Sequence, residues 1–419
     1  MTMSGAGDGG GRVPAAFLLG RPGRWPGGRT VDRVLRACTG TGLHPAADQV
    51  RAVTDGLFAA DPLAERFADE VLDRPGGRAM LDAALGPGGV AAVPDAPEAM
   101  RALFAGFERT PDWVRPELVE RGAAVWRRWG TMLFAVAGST TLEMYTEAAV
   151  ATPLSLAGGY AGDNARRRFF ETVRFWIDVS EPGALFTPGS AGRSTALRVR
   201  VMHVAVRRRV AGHPEWDEDR WGVPISRTWQ MMTLLGGSVA PALALWPLGH
   251  LTSPAEMRAL LHFQRYLGHL LGVEPRWYPE TVADAVRLLL LVLDARSRDS
   301  GAHGAELIES FPAGFAPAPG RTGADRLRGV YTHGVHAGYA WLWTARRTWR
   351  AHRMPSPLLW IAVPLLRAPF VAAAELAGHL LPPVRRALER RGARHRERWY
   401  ARYARGHVAA YEATSGLRR

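Results

Sequence analysis

Three side chains between residues 200 and 207 have types and spacing that could do chemistry. Arg200, His203 and Arg207 fall at i, i+3 and i+7, so a helix carries them as one polar stripe. The positions around them, among them Leu197, Val199, Met202, Val204, Val206 and Val210, are apolar on nearly every side, as in a buried helix. Unpaired buried charge is very costly, so the stripe needs a partner. A haem would satisfy all three residues, with the imidazole on iron and the guanidinium groups paired bidentately with propionates. A core histidine satisfied by other protein groups, with arginines on a solvated edge, gives the same pattern, and so does a histidine switch.

A second group lies about thirty residues upstream. Arg168 and Thr172 are one helical turn apart, Glu171 stands beside them, and Phe175 and Trp176 follow. A guanidinium, a hydroxyl and a carboxylate beside aromatic rings could orient a small polar ligand such as dioxygen. A solvated run Arg166-Arg167-Arg168 with a core hydroxyl at Thr172 is the alternative. Glu143 and Glu147 could supply a base or form an exposed acidic face. His333 and His336 form an H-x-x-H pair without a further ligand motif, and His262 and His269 lie seven apart on one helix. Structural roles suit both histidine pairs.

The elements that must position these residues read as helices. Pro111-Asp112-Trp113 opens one expected to reach Ala137, and another is expected over Leu142–Val150. The two chemical groups fall on helices expected over Asn164–Val179 and Thr195–Val210, joined by a Gly/Ser/Pro-rich connection. Further helices are expected over Arg227–Trp246, with a break at Pro241, over Pro254–Gly272 and over Pro279–Ala295. No alternating strand pattern with hairpin signals occurs, so the fold class is all-α. The organisation read from the chain is a flexible leader (1–45), a main helical domain (46–310), additional helices (311–383) and a basic tail (384–419).

The segments Arg167-Arg168-Phe169-Phe170-Glu171-Thr172-Val173-Arg174-Phe175 and Val199-Arg200-Val201-Met202-His203-Val204-Ala205-Val206-Arg207 resemble the rubber oxygenase (latex-clearing protein) family, which also includes a fungal terpenoid side-chain oxygenase. The shared pattern is R-x-x-x-T, a gap, then H-x-x-x-R. Pro111-Asp112-Trp113-Val114 with Gly122, Pro224-Ile225-Ser226 and Tyr266-Leu267-Gly268-His269-Leu270-Leu271-Gly272-Val273 resemble other parts of it, and together they cover residues 100–280. The resemblance implies a globin-like helical core with added N- and C-terminal helices. It implies a haem b cofactor with His203 as the iron ligand, Arg207 and Arg200 at its pocket, and Arg168, Thr172 and Glu171 near the opposite, catalytic side. It further implies cleavage of a C=C bond by dioxygen in a lipophilic isoprenoid or polyene. One position departs: where those enzymes have a lysine that can cap the iron in a closed site, this chain has Glu171. A non-catalytic haem sensor or carrier, and a membrane-surface helical protein without haem, remain the other readings.

Composition narrows the classes. The 419 residues carry 53 basic and 39 acidic side chains, a net charge of +14, but residues 384–419 alone hold 11 Arg against 3 Glu. The body is thus only mildly basic, and no recognition motif supports a nucleic-acid partner. The basic tail, with Trp399, Tyr400 and Tyr403 among its arginines, suits peripheral contact with an anionic membrane or a solvated terminal helix. No lysine occurs, which excludes Schiff-base and P-loop lysine chemistry. A single cysteine, Cys38, excludes intramolecular disulfides and Cys-based zinc or iron–sulfur sites. The expected setting is cytoplasmic, because no export signal is read at the N-terminus and Val13–Leu19 and Leu358–Leu366 fall far short of the roughly 20 apolar residues of a membrane span.

Overall fold

The computed structural model describes residues 12–19, 28–157, 163–273, 278–313, 315–317, 320 and 322–404, whose regular secondary structure is helical with no strand among them. An N-terminal set comprises α1 (Gly28–Thr39), α2 (Ala47–Gly56), α3 (Pro62–Phe67), α4 (Gly77–Ala84) and α5 (Glu98–Glu108). Then come α6 (Pro116–Trp129), α7 (Met132–Met144) and α8 (Ala148–Leu156), followed by the pair α9 (Asp163–Val179) and α10 (Ala191–Ala211). After the short α11 (Glu218–Trp221) follow α12 (Arg227–Gly236), α13 (Val239–Leu245), α14 (Pro254–Leu270) and α15 (Val282–Ala295). The chain closes with α16 (Gly301–Ala313), α17 (Gly323–Trp343), α18 (Arg346–Ala351), α19 (Ala362–Leu380) and α20 (Pro382–Ala404).

At the centre α6 crosses α14 closely. Gly122 makes this possible, since a Cβ there would sit 2.4 Å from the Ala259 carbonyl oxygen and 2.6 Å from Phe263 Cβ. Trp126, Trp129, Phe263 and Tyr266 are buried beside the crossing, with Trp126 edge-on to Phe263 at 5.2 Å. The single helix expected from Pro111-Asp112-Trp113 to Ala137 is two helices. The chain turns at Gly130, whose φ of 56° and ψ of −131° a glycine reaches without strain. The break expected at Pro241 lies instead at 237–238, between α12 and α13. Trp126 Nε1 donates to the Gly237 carbonyl at 2.7 Å there, and Pro241 sits in the first turn of α13, where its missing N–H costs little. By length and composition Arg227–Leu248 would be apolar enough to span a membrane, but it is broken here and most of its apolar part is buried in the protein.

The ends of the chain are built into the body more than the sequence led one to expect. Within the expected leader, α1 forms, Phe17 is buried, and Ala15 and Leu18 donate to the carbonyls of Asp219 and Ala295. The remaining leader residues 1–11 and 20–27, and tail residues 405–419, lie outside the described residues.

The basic tail needs the larger correction. Its helix α20 docks on α6 and α9. Arg396 is fully buried and donates to Ser180 Oγ at 2.7 Å and to Glu181. Trp399 stacks on Phe134 at 5.7 Å and contacts Phe170 at 5.3 Å, while Glu389 and Glu397 pair with Arg127 and Arg174. The aromatic residues that would have entered a membrane are therefore spent on the protein's own core.

The C-terminal hairpin of α19 and α20 is locked by buried charge. Arg128 meets Glu256 at 2.6 Å and Glu375 at 3.0 Å, all three side chains nearly inaccessible, and Arg385 also pairs with Glu256. Burial raises the Glu256 carboxyl, but Arg128 outweighs it and holds the group below the ordinary carboxylate range. Removing one member of such a cluster strands the others without solvent. Arg128→Ala is therefore expected to lower stability by about 3–5 kcal/mol in urea unfolding. A loss near that of an exposed-arginine control such as Arg386→Ala would refute the role given to the cluster.

Candidate active site

The α9–α10 pair is fixed at its closed end. Ser190 caps α10 by accepting from the Arg193 N–H, and Gly192 lets that end approach the Asp178 and Ala184 carbonyls. Thr195 Oγ1 donates to Asp178 Oδ2 at 3.4 Å. From that contact His203 lies eight residues further along α10, and Thr172, Glu171 and Arg168 lie six, seven and ten residues before Asp178 on α9.

Each helix of the pair has one incompletely covered face. On α10, Ala196, Leu197, Arg200, Val204 and Arg207 are buried, whereas Val199, Met202 and Val206 remain partly open. At 100° per residue His203 sits on the seam between the open apolar face and the arginine stripe. On α9 the open face is Arg168, Thr172, Phe175 and Trp176.

The arginines of the stripe are not free for a ligand, contrary to the expected pairing with haem propionates. Arg200 forms a bidentate pair with Asp61, 2.6 and 3.0 Å long, both side chains 7% exposed. Arg207 donates to Glu65 at 2.6 Å and to the carbonyls of Pro224 and Ile225, each at 3.1 Å. A guanidinium buried on a helix takes protein partners in advance, because leaving it bare is too costly. Both residues therefore act as positioning groups: they tie α10 to α3 and to the turn before α12.

His203 is the exception in the stripe. Its Nδ1 is buried and has no hydrogen-bond partner. Burial, and then the charge of Arg207, lower its pKa to about 4, against weaker opposing effects of Gln230 and Asp61. The imidazole is thus neutral near pH 7, with a lone pair available to a metal.

On α9, Arg168 pairs with Glu171 at 2.8 Å, both nearly buried, and Arg167 stands 3.9 Å from the same carboxylate. Glu171 is therefore first of all a partner of Arg168. The Thr172 hydroxyl donates to the Arg168 carbonyl at 3.1 Å. Arg166 lies outside the described side chains.

The remaining candidates have structural roles. Glu143 accepts from Arg296 and the Ala345 N–H, and Glu147 caps α8 and accepts from Ser297. His336 is buried against Phe315, 3.7 Å between ring centres, and His333 lies at the Pro312 carbonyl. His262 accepts from the Arg115 N–H, and His269 bonds the Gly106 carbonyl.

Sequence reasoning missed Asp61, Glu65 and Gln230. The signal for Asp61 was present: an Asp before Pro62 is a helix start, and its Oδ1 does accept from the Ala64 N–H at 3.2 Å. Its long-range partnership with Arg200 had no local signature. The structure also explains Gly272 at the end of α14. Its φ is +81°, and a Cβ there would lie 2.0 Å from Asp61 Oδ2 and 2.7 Å from Arg200 Nε. Only a glycine lets the helix end rest on this ion pair.

With this geometry in hand, comparison with known proteins decides the family. The profile of the family described as "ER-bound oxygenase mpaB/B'/Rubber oxygenase, catalytic domain" matches residues 123–409, more than half of the chain. The chain belongs to the rubber oxygenase family. The rubber oxygenase of Streptomyces sp. (strain K30) is 28% identical over 261 residues, which make up 58% of this chain and 58% of that relative. The chain thus matches less than two thirds of that relative's length. The fold is that of a solved latex clearing protein in its closed state, with a TM-score of 0.63 at 19% identity over 87% of this chain and 94% of the other. The family match begins after α5, yet α3 supplies Asp61 and Glu65, so the site draws on helices outside the matched segment.

Two outcomes follow. Gly272→Ala should break the Arg200–Asp61 pair and destabilise the protein more than Gly106→Ala, where a Cβ meets nothing within 4 Å. Equal melting temperatures for the two variants would contradict the packing described. The second concerns pH. His203 stays neutral in the folded state down to about pH 4, whereas the unfolded chain protonates it near its ordinary 6.5. The unfolded state therefore binds the extra proton between those values, and stability contributed by the neutral ring is lost as pH falls from 6.5 toward 4. His203→Leu should make stability fall less steeply across that window. His336, also lowered to about 4 by burial, keeps some of the slope.

Proposed function

We propose that this protein is a haem b-dependent oxygenase that uses dioxygen on a lipophilic isoprenoid or polyene-like substrate, with oxidative cleavage of a C=C bond as its reaction. One observation carries the reading. A neutral imidazole with an unpartnered, buried Nδ1 sits at the edge of an incompletely covered apolar helix face in a rubber oxygenase fold. Among the described residues no group of three or more His, Cys, Asp or Glu side chains is placed to hold a metal ion. A single histidine holds iron well only when a chelating macrocycle supplies the other ligands, which favours a porphyrin over a bare ion.

His203 would hold the haem iron through its neutral imidazole. Arg200 and Arg207 would hold its helix in place through Asp61, Glu65 and the 224–225 carbonyls, a supporting role of the kind that orients metal ligands elsewhere. When bound, the haem supplies the redox-active iron needed for dioxygen chemistry. The chain's own contribution is positioning and exclusion of water. Val199, Met202 and Val206 offer a surface for a flat apolar group. Phe175 and Trp176 lie on the partly open face of α9, next to Thr172 and to Arg168, which pairs with Glu171. Cleavage of an alkene by dioxygen balances without a reductant, since each former alkene carbon takes one oxygen atom. Hydroxylation would need two further electrons.

Protein produced with haem supplied should show a Soret absorption band, and His203→Ala should lose most of it while keeping the far-UV circular dichroism of the parent. Full haem retention by that variant would refute the assignment. Oxygen uptake with unsaturated isoprenoids, one dioxygen per cleaved bond and no added reductant, is the expected activity. A haem-loaded protein that consumes no oxygen with any of them would be a carrier or sensor.

A further inference from the structure

The strongest feature outside the site is on the C-terminal hairpin. Of the 18 large apolar side chains that are exposed among the described residues, 8 fall between Leu358 and Leu381. A soluble surface scatters such residues singly, and a contiguous apolar patch marks an interaction site. On α19 they are ordered. Pro364, Glu375 and Gly378 face the body, and the opposite side presents Leu366, Phe370 and Leu380, at 71%, 79% and 79% exposure, with Ala373 between them. Just before the helix, Leu358 and Leu359 stand 76% and 86% exposed. Leu359 has a φ of +66°, a left-handed conformation that such a side chain rarely adopts, yet its side chain is held outward. The turn at Trp246, itself 56% exposed, packs against α19 and extends the patch.

The neighbouring helix supplies charge of one sign. α19 and α20 pack as a hairpin, with Gly378 close against Leu388 and Arg385. The outward side of α20 carries Arg386, Arg390, Arg391, Arg394, Arg398 and Arg402, all exposed. The acidic residues between 358 and 404 are Glu375, Glu389 and Glu397, and each is paired inward, with Arg128, Arg127 and Arg174. The unpaired exposed charge of the hairpin is therefore positive, although the Glu397 side chain stays 45% exposed beside Arg174.

We propose that this hairpin seats the protein on an anionic lipid surface, with the apolar face of α19 and the 358–359 turn entering the headgroup layer and the arginines of α20 meeting lipid phosphates. Charge decides between this and a second copy of the chain, because two such arginine rims would repel each other. Spanning is excluded for α19, since Glu375, in the middle of the helix, is buried in an ion pair with Arg128. The helix lies in the plane of the interface. This differs from insertion of the tail itself, whose aromatic residues are committed to the core. It also does not depend on the cofactor assignment.

The test is co-sedimentation of the full chain with vesicles of phosphatidylcholine containing phosphatidylglycerol, compared with phosphatidylcholine alone. Binding to the anionic vesicles should weaken as salt is raised. Phe370→Asp and Leu366→Asp, both at outward positions, should each weaken it by about tenfold or more, since each removes a large apolar side chain from the lipid. Arg390→Glu with Arg394→Glu should abolish the preference for anionic lipid. Melting temperatures close to that of the parent would show the variants to be folded, and Arg386→Gln provides a milder second probe. Equal binding to neutral vesicles, no loss in the aspartate variants, or a dimer in sedimentation that these variants dissociate would each overturn the proposal.

Discussion

Two buried guanidinium groups, Arg200 paired with Asp61 and Arg207 with the partly exposed Glu65, set the position of the helix that carries His203. A charge of this kind cannot be left bare in a protein interior, so each arginine fixes one face of α10 against α3 and the turn before α12. What remains of the helix surface is then determined. Its apolar side, Val199, Met202 and Val206, is left partly open, and the imidazole stands at its margin with Nδ1 unpartnered. The same positive neighbour that holds the helix also keeps the ring neutral, because Arg207 adds to burial in disfavouring imidazolium. Structure and electrostatics at this site therefore have one source.

Much of this was legible in the sequence, and the reasons are local. The i, i+3, i+7 spacing of Arg200, His203 and Arg207 in an apolar helix showed that the stripe was buried. The R-x-x-x-T and H-x-x-x-R segments pointed to the family that the profile match then showed. What failed was the identity of the partners. Periodicity reports which face of a helix is inside but says nothing about what lies opposite, so nothing in the sequence tells propionates from Asp61 and Glu65 as partners of these arginines. The sequence distance between Arg200 and Asp61, 139 residues, places that information in the tertiary fold.

The tail shows the same limit from the other direction. An arginine-rich helix with Trp399 and Tyr400 reads as an amphipathic surface element, and by composition it is one. The structure turns its aromatic side inward, onto Phe134 and Phe170, and buries Arg396 with Ser180 and Glu181. The helix boundaries missed within α6–α7 and α12–α13 have a related origin. Gly130 and Gly237 allow turns where a continuous apolar pattern runs on, and the large ring of Trp126 decides where the second break falls.

The position at which the chain departs from the resemblance follows from the charge around it. Where those relatives have a lysine, Glu171 is nearly buried and flanked by Arg168 and Arg167. A lysine there would bring a third cation into a half-buried cluster, a costly arrangement without a carboxylate to balance it. Glu171 instead neutralises Arg168, so this face of α9 carries close to no net charge from the pair and presents the rings of Phe175 and Trp176 beside it. An apolar, nearly neutral surface of that kind accommodates an uncharged hydrocarbon better than a charged or polar ligand. Glu171 at this position therefore fits the lipophilic substrate class that the resemblance implies, and it does so by a separate physical route.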